Sequence, residues 1–136
     1  MKPQQTLYRL TLVLNALAWA TVGVLGLVAP AWLLAAVHVT GDASGIAELR
    51  AMYGGMELGV AAFLIWSSAS TSPGRIRTAL VGATLPLAAL GLVRLGGILT
   101  SDVVAVHYVL AGLELSGTVL NVIVLRLHIR SFTLSA

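Results

Sequence analysis

Residues 103–125 read VVAVHYVLAGLELSGTVLNVIVL, and Glu114 is the single Asp, Glu, Lys or Arg among them. An apolar stretch of about 20 residues is long enough to cross a bilayer as an α-helix. The stretch therefore predicts a transmembrane helix with one carboxylate near its middle. The chain as a whole has the same character, because 58% of its 136 residues are hydrophobic and 10% are charged. Its mean hydropathy of +0.96 excludes a soluble globular domain with a polar surface.

Other apolar stretches of similar length precede this one, at residues 10–29, 46–66 and 78–99. Pro30 ends the first of them, and residues 31–37, which include Trp32, predict a short interfacial helix at the membrane surface. Segments containing Gly, Ser, Pro and Asp separate the spans. The predicted fold class is all-α, with residues 1–136 forming one domain, a four-helix transmembrane bundle.

The distribution of basic residues predicts the orientation of the bundle. Outside the spans, they precede the first span, separate the second from the third, and follow the fourth: Lys2, Arg9, Arg75, Arg77, Arg126 and Arg130. Cytoplasmic loops of membrane proteins are enriched in Lys and Arg. Both termini and the middle loop are therefore predicted to be cytoplasmic.

Six polar or ionisable side chains that fall inside the predicted spans form the candidate ligand-binding cluster: Arg50, Tyr53, Glu57, Arg94, His107 and Glu114. With the predicted orientation and a rise of about 1.5 Å per residue, all of them lie in the outer half of the bilayer. The two glutamates fall near the midplane. Helical spacing places Arg50, Tyr53 and Glu57 on one face of the second span, and His107 and Glu114 on one face of the fourth.

A charged side chain at the centre of a spanning helix costs roughly 2.5–3.5 kcal/mol, so such groups normally face the bundle interior and form pairs. The expected pairs join Arg50 and Arg94 to Glu57 and Glu114. One interpretation is a buried ion-pair network that fixes how the helices pack. The other is an outward-opening pocket for a small polar or lipid-like ligand, since Tyr53 and His107 add polar groups that charge neutralisation does not require.

The two glutamates have matching contexts, Gly55-Met56-Glu57-Leu58 and Gly112-Leu113-Glu114-Leu115, at an offset of 57 residues. This offset suggests a duplicated helical hairpin, which would place both carboxylates at one depth.

Small and amide side chains indicate how the helices pack. Gly54, Gly55 and Gly59 permit close approach of a neighbouring helix, within the chain by preference and in a homodimer as the alternative. Asn15 and Asn121 both fall in the inner half, on the first and fourth spans. We expect their amides to hydrogen-bond each other.

Several chemistries are not expected. The chain has no cysteine, which excludes cysteine-ligated metals and clusters. His107 is the only histidine well inside a span, whereas a haem held between helices usually has two axial histidines. Neither Glu57 nor Glu114 begins a Glu-x-x-His motif, the signature of di-metal carboxylate sites in helical bundles. The basic residues are too sparse for nucleic-acid binding. We therefore expect no cofactor, no metal and no nucleic-acid partner.

The stretches Glu48-Leu49-Arg50-Ala51-Met52-Tyr53-Gly54-Gly55 and Leu92-Val93-Arg94-Leu95-Gly96-Gly97, followed by Glu114, carry a family resemblance. The chain resembles, over nearly its whole length, a bacterial family of four-span integral membrane proteins known only as a domain of unknown function. It is more distantly similar to the DoxX-like membrane proteins. The resemblance implies a four-helix bundle in the bacterial cytoplasmic membrane, and it brings no activity, ligand or catalytic residue.

Three functions remain open at this point. The preferred prediction is binding or transport of a small polar or anionic amphiphilic ligand, held by Arg50 and Arg94. A second is a non-catalytic accessory subunit of a larger membrane complex, in which the charges are structural. The third is an intramembrane enzyme with Glu57 and Glu114 as acid and base.

Overall fold

The computed structural model describes residues 3–133, and the side chains of residues 5–130. Lys2, one of the residues used to predict orientation, lies outside this range. The regular structure of the described range is entirely helical. Its elements, in chain order, are α1 (Pro3–Val28), α2 (Pro30–Ala36), α3 (Ala43–Leu49), a π-helical segment (Arg50–Met56), α4 (Glu57–Ser68), α5 (Pro73–Thr100) and α6 (Val106–Thr133).

Three helices are long and apolar enough to cross a membrane, at Gln5–Val28, Pro73–Thr100 and Val106–Arg130. The stretch predicted as the second span has a different construction. There α3, the π segment and α4 follow one another directly from Ala43 to Ser68, and they contain 7, 7 and 12 residues. Each piece alone is shorter than the roughly 20 residues that a spanning helix needs.

Local sequence accounts for the helix ends. Pro30 and Pro73 occupy first-turn positions of α2 and α5, where the missing N–H of proline leaves no hydrogen bond unmade. Asp42 caps α3, because its Oδ1 accepts a hydrogen bond from the backbone N–H of Gly45 at 2.8 Å. The predicted interfacial segment corresponds to α2, and Trp32 on it is 60% exposed. In α5 the helix continues through Pro86.

The long helices form two antiparallel pairs. In the first pair, α1 packs along the π segment and α4, and in the second, α5 packs along α6. Glycine permits the closest approach in the first pair, since a Cβ added to Gly26 would lie 2.7 Å from the carbonyl carbon of Tyr53. The nearest atom belongs to the backbone of Tyr53, so α1 and the π segment pack there without an intervening side chain.

The hydrophobic core lies in the predicted inner half of the bundle, where residues such as Leu12, Leu64, Leu80 and Val124 are almost fully buried. The same half contains the expected amide pair. Nδ2 of Asn15 donates to Oδ1 of Asn121 at 2.9 Å, and Nδ2 of Asn121 donates to Oδ1 of Asn15 at 3.0 Å. The predicted amide pair is confirmed. It joins α1 of the first helix pair to α6 of the second helix pair.

The glycines of the π segment and α4 divide into two groups. A Cβ on Gly54 would overlap the side chain of Leu27, so Gly54 packs against α1 as expected. A Cβ on Gly55 or Gly59 would have no atom within 4 Å in the described chain beyond its own stretch of helix backbone. The expectation that Gly55 and Gly59 pack within the chain is therefore wrong, because that side of the helix faces away from α1.

Candidate functional site

The centre of the candidate site is an ion pair between α5 and α6. Nε of Arg94 donates to Oε2 of Glu114 at 2.9 Å, and Nη2 donates to Oε1 at 2.8 Å. The third nitrogen, Nη1, lies 3.1 Å from Nδ1 of His107. The side chains of Arg94 and Glu114 are only 22% and 12% exposed. The expected pairing of these two residues is confirmed, with the two-pronged geometry that makes arginine–carboxylate bonds strong.

Two local features bring these groups together. Gly91 lies one turn before Arg94, and a Cβ there would be 2.8 Å from Cδ2 of Leu115, so α6 lies close against α5 at this level. His107 and Glu114 are seven residues apart on α6, which places them on one face about two turns apart. Arg94 therefore reaches both from the neighbouring helix.

Glu57 has a different environment from Glu114. It begins α4 and is 5% exposed, on a buried stripe that continues through Ala61 and Leu64. Within the described part of the chain its carboxylate has no hydrogen bond and no ion pair. The two glutamates therefore have different environments. The charge of the Glu114 carboxylate is balanced by Arg94, whereas Glu57 has no ion-pair partner in the described structure.

Helix contacts place the two glutamates at nearly the same level. Leu58 lies against Gly23 of α1, so Glu57 is level with the same part of α1. The Asn15–Asn121 pair fixes α6 against α1, and seven residues outward from it are Val22 on α1 and Glu114 on α6. Since both helices rise about 1.5 Å per residue, the two carboxylates lie within about one turn of each other along the bundle.

Arg50 and Tyr53 do not share the buried face with Glu57, contrary to expectation. Arg50 is exposed, Tyr53 is 49% exposed, and no ion pair joins Arg50 to Glu57 in the described structure. The physical reason is the π segment, which closes its hydrogen bonds from i to i+5 instead of i to i+4. A π-helix has more residues per turn than an α-helix. Arg50 and Tyr53 therefore point in a different direction from Glu57.

Two open surface grooves lie at the predicted outer end of the bundle. Their volumes are about 400 and 290 Å³, and both are lined by Leu34, Val39 and Thr40 around the connection between α2 and α3. The smaller one extends to Glu48 and Tyr53. Neither groove is lined by Glu57 or Glu114, so neither encloses the predicted polar cluster.

The π segment is the feature that sequence reasoning missed. Gly54 and Gly55 are the available signal, because two adjacent glycines weaken an α-helix by about 1 kcal/mol each relative to alanine. π-helical insertions occur frequently at functional sites. Among residues 3–133 no group of three His, Asp or Glu side chains is placed to hold a metal ion.

Three apolar helices that are each long enough to cross a membrane, two of them joined by a partly buried ion pair, indicate an integral membrane protein. The chain belongs to the family described as Domain of unknown function (DUF4345), whose model matches residues 7–125. The match includes all six residues of the predicted cluster, and it confirms the resemblance to a family of unknown function. The more distant similarity to DoxX-like proteins stays a prediction. No curated protein and no solved structure matches the chain.

Proposed function

We propose that this chain is a four-span membrane protein with both termini in the cytoplasm, and that it binds or transports a small polar or amphiphilic ligand in its outer half. The composite helix from Ala43 to Ser68, second in chain order, is the span that adds to the three long helices. At about 1.5 Å per residue this run is roughly 35–40 Å long, which exceeds the roughly 30 Å hydrocarbon core. The basic residues in the predicted inner loop and at the predicted inner ends of the first and fourth spans support this topology.

The observation that carries the proposal is Glu57, which is 5% exposed as a residue, has no hydrogen bond or ion pair in the described structure, and keeps some accessible surface on its carboxylate oxygens. A polar group that loses water without gaining a partner costs up to about 1–3 kcal/mol, so a carboxylate in this position favours a hydrogen-bonding partner from outside the chain. Arg94 and Glu114 already join α5 to α6, and Asn15 and Asn121 already join α1 to α6. Glu57 contributes no such link, so a ligand that completes its hydrogen bonding accounts for its presence better than helix packing does.

The same geometry changes the roles predicted for the arginines. Arg94 presents two of its nitrogens to Glu114 and the third to His107. An anionic headgroup would have to displace these bonds. Arg50 lies on the exposed side of the π segment. The proposed ligand therefore donates hydrogen bonds to Glu57, and the Arg94–Glu114 pair links α5 to α6 at nearly the same level of the bundle.

Native mass spectrometry of the protein purified in a mild non-ionic detergent tests this proposal. The wild type is expected to carry a small-molecule adduct that Glu57→Gln loses, because an amide alters the charge and hydrogen bonding at this position with little change in size. Asp102→Asn is the matched control, since Asp102 is an exposed carboxylate in the loop between α5 and α6. A wild type that carries only phospholipid, at the same level as Glu57→Gln, would overturn the proposal.

A further inference from the structure

A second charged region lies at the end of the bundle opposite the predicted polar cluster. Arg75 and Arg77 occupy exposed positions near the start of α5. The Nε2 atom of His128 lies 3.1 Å from the carbonyl oxygen of Pro73, so the end of α6 that carries the exposed Arg126 meets the start of α5. Arg75, Arg77 and Arg126 therefore lie at one end of the bundle, which we call the basic end.

The acidic residues of the chain all lie away from the basic end. There are five of them, Asp42, Glu48, Glu57, Asp102 and Glu114. The helix α4 runs from Glu57 toward the basic end, and α5 runs from the basic end toward Asp102. Glu114 is at nearly the same level as Glu57. The positive charge of the three arginines is therefore not balanced by an Asp or Glu of the chain.

Arg75 has a defined position on an aromatic ring. The central carbon of its guanidinium lies 4.0 Å from the centroid of the Trp66 ring, near the end of α4. No hydrogen bond or ion pair joins Arg75 to another described residue. A guanidinium over an aromatic face can still donate from the N–H groups at its edges, and two of these groups together match the oxygens of a phosphate. Arg75 is therefore both positioned and available for an anion.

Arg75 also lies at the level of the lipid headgroups. The helix α5 has 28 residues and is apolar enough to cross a membrane. Its length of about 42 Å exceeds the roughly 30 Å hydrocarbon core, so its first turn, which contains Arg75, reaches the headgroup region. Trp66 is 57% exposed and the neighbouring Phe63 is 37% exposed, so both rings are accessible to lipid. Tryptophan is enriched at this level of membrane proteins.

We propose that Arg75 and Trp66 form a binding site for an anionic phospholipid. The lipid phosphate accepts hydrogen bonds from Arg75, and the Trp66 ring contacts the glycerol and the first carbons of the acyl chains. A zwitterionic phospholipid carries its own cation, whereas an anionic one has a net negative charge that the basic end attracts. The site does not include Glu57, so it is independent of the ligand proposed for the outer half.

Native mass spectrometry of the full chain in a non-ionic detergent tests this inference. Phosphatidylglycerol and phosphatidylcholine with the same acyl chains are titrated separately, and the lipid-bound fraction of the protein gives the two affinities. The wild type is expected to bind phosphatidylglycerol at least about fivefold more tightly than phosphatidylcholine. Arg75→Gln should lose this preference. Arg50→Gln is the matched control and should behave as the wild type, because it removes the same charge from an exposed position toward the opposite end.

Two more variants distinguish a built site from general attraction of charge. Trp66→Leu keeps every charge but removes the ring beneath Arg75, so it should also weaken the binding of phosphatidylglycerol. Arg75→Lys keeps the charge on an ammonium group that cannot form the two-pronged bond. Its affinity should fall between those of the wild type and Arg75→Gln, which would also show that a substitution at this position leaves the protein folded.

Four results would overturn the proposal. The first is equal affinity of the wild type for the two lipids, and the second is equal weakening by Arg75→Gln and Arg50→Gln. The third is unchanged binding in Trp66→Leu. The fourth is displacement of the lipid by inorganic phosphate in large excess, which would mean that the site recognises the phosphate group alone.

Discussion

Replacing Glu114 with leucine tests how much the central ion pair contributes to the fold. The substitution removes both acceptors of Arg94 and leaves its guanidinium facing α6 with only the His107 ring nitrogen beside it. Leucine is apolar and of comparable size. The dominant consequence is therefore an uncompensated charge between two membrane helices.

The expected loss follows from the burial of the pair. Removing one partner of a buried ion pair costs about 3–5 kcal/mol, because the other charge is left unpaired. Arg94 is 22% exposed, and its long side chain can extend toward the outer surface, which places the expected loss near the lower end, about 3 kcal/mol. Since 1.4 kcal/mol corresponds to a tenfold change in an equilibrium constant, the folded population should fall by roughly a hundredfold relative to the unfolded one.

Equilibrium unfolding in mixed micelles of dodecyl maltoside and SDS, followed by far-ultraviolet circular dichroism, measures this change. A double-mutant cycle with Arg94→Leu and Glu114→Leu separates the pair from its surroundings. The double variant should be more stable than Glu114→Leu alone, because no unpaired charge remains. Arg50→Ala is the control, since Arg50 is exposed and should change stability by less than about 0.5 kcal/mol.

Two results would refute this reasoning. The first is a Glu114→Leu variant that unfolds within about 0.5 kcal/mol of the wild type, the range of ordinary surface substitutions. The second is a cycle in which the losses of the two single variants simply add, which would mean that Arg94 and Glu114 do not stabilise each other.

The remaining predictions use the same unfolding assay. Asn121→Leu should cost about 1–2 kcal/mol through the lost amide pair with Asn15, and no change would mean that the pair contributes nothing. Gly26→Ala should cost about 1–3 kcal/mol, because its Cβ would meet the Tyr53 backbone at 2.7–2.8 Å. Gly55→Ala, with open space around it, should be neutral or stabilising by up to about 1 kcal/mol, and equal effects of the two substitutions would contradict the packing. Glu57→Leu should leave the protein at least as stable as the wild type, by about 1–3 kcal/mol if the whole desolvation cost is recovered, so a clear loss would show that Glu57 has a structural partner.

Patterns that involve regular α-helices were predictable from the sequence. The Arg94–Glu114 pair and the Asn15–Asn121 pair join polar groups that an apolar environment compels to find partners, and both occur where α-helical periodicity holds. Gly54 lies in the π segment, but its prediction depended only on the absence of a side chain, and it does pack closely against Leu27.

The error about the polar face originates in the π segment. An α-helical register from Arg50 to Glu57 predicted one polar face and an ion pair, whereas the expectation that Gly55 and Gly59 pack within the chain rested on residue size, which does not determine the side of the helix that meets a neighbour. The wider π turn rotates the residues before Glu57 relative to those after it. The π segment packs closely on α1, where a Cβ on Gly26 would meet the backbone of Tyr53. Hydrophobic periodicity does not report that contact.

By itself, the sequence determined that this chain is helical and suited to a membrane, and that its few buried polar groups must find partners. Composition and hydropathy are sums over individual residues, so they do not depend on which residues become neighbours in space. Which partner each group finds was decided by the tertiary structure alone. Glu57 and Glu114 stand in nearly identical local sequences at nearly the same level, yet only Glu114 faces an arginine. That difference comes from the packing of α5 on α6 at Gly91 and from the helical phase set by the π segment, and both are properties of neighbouring helices.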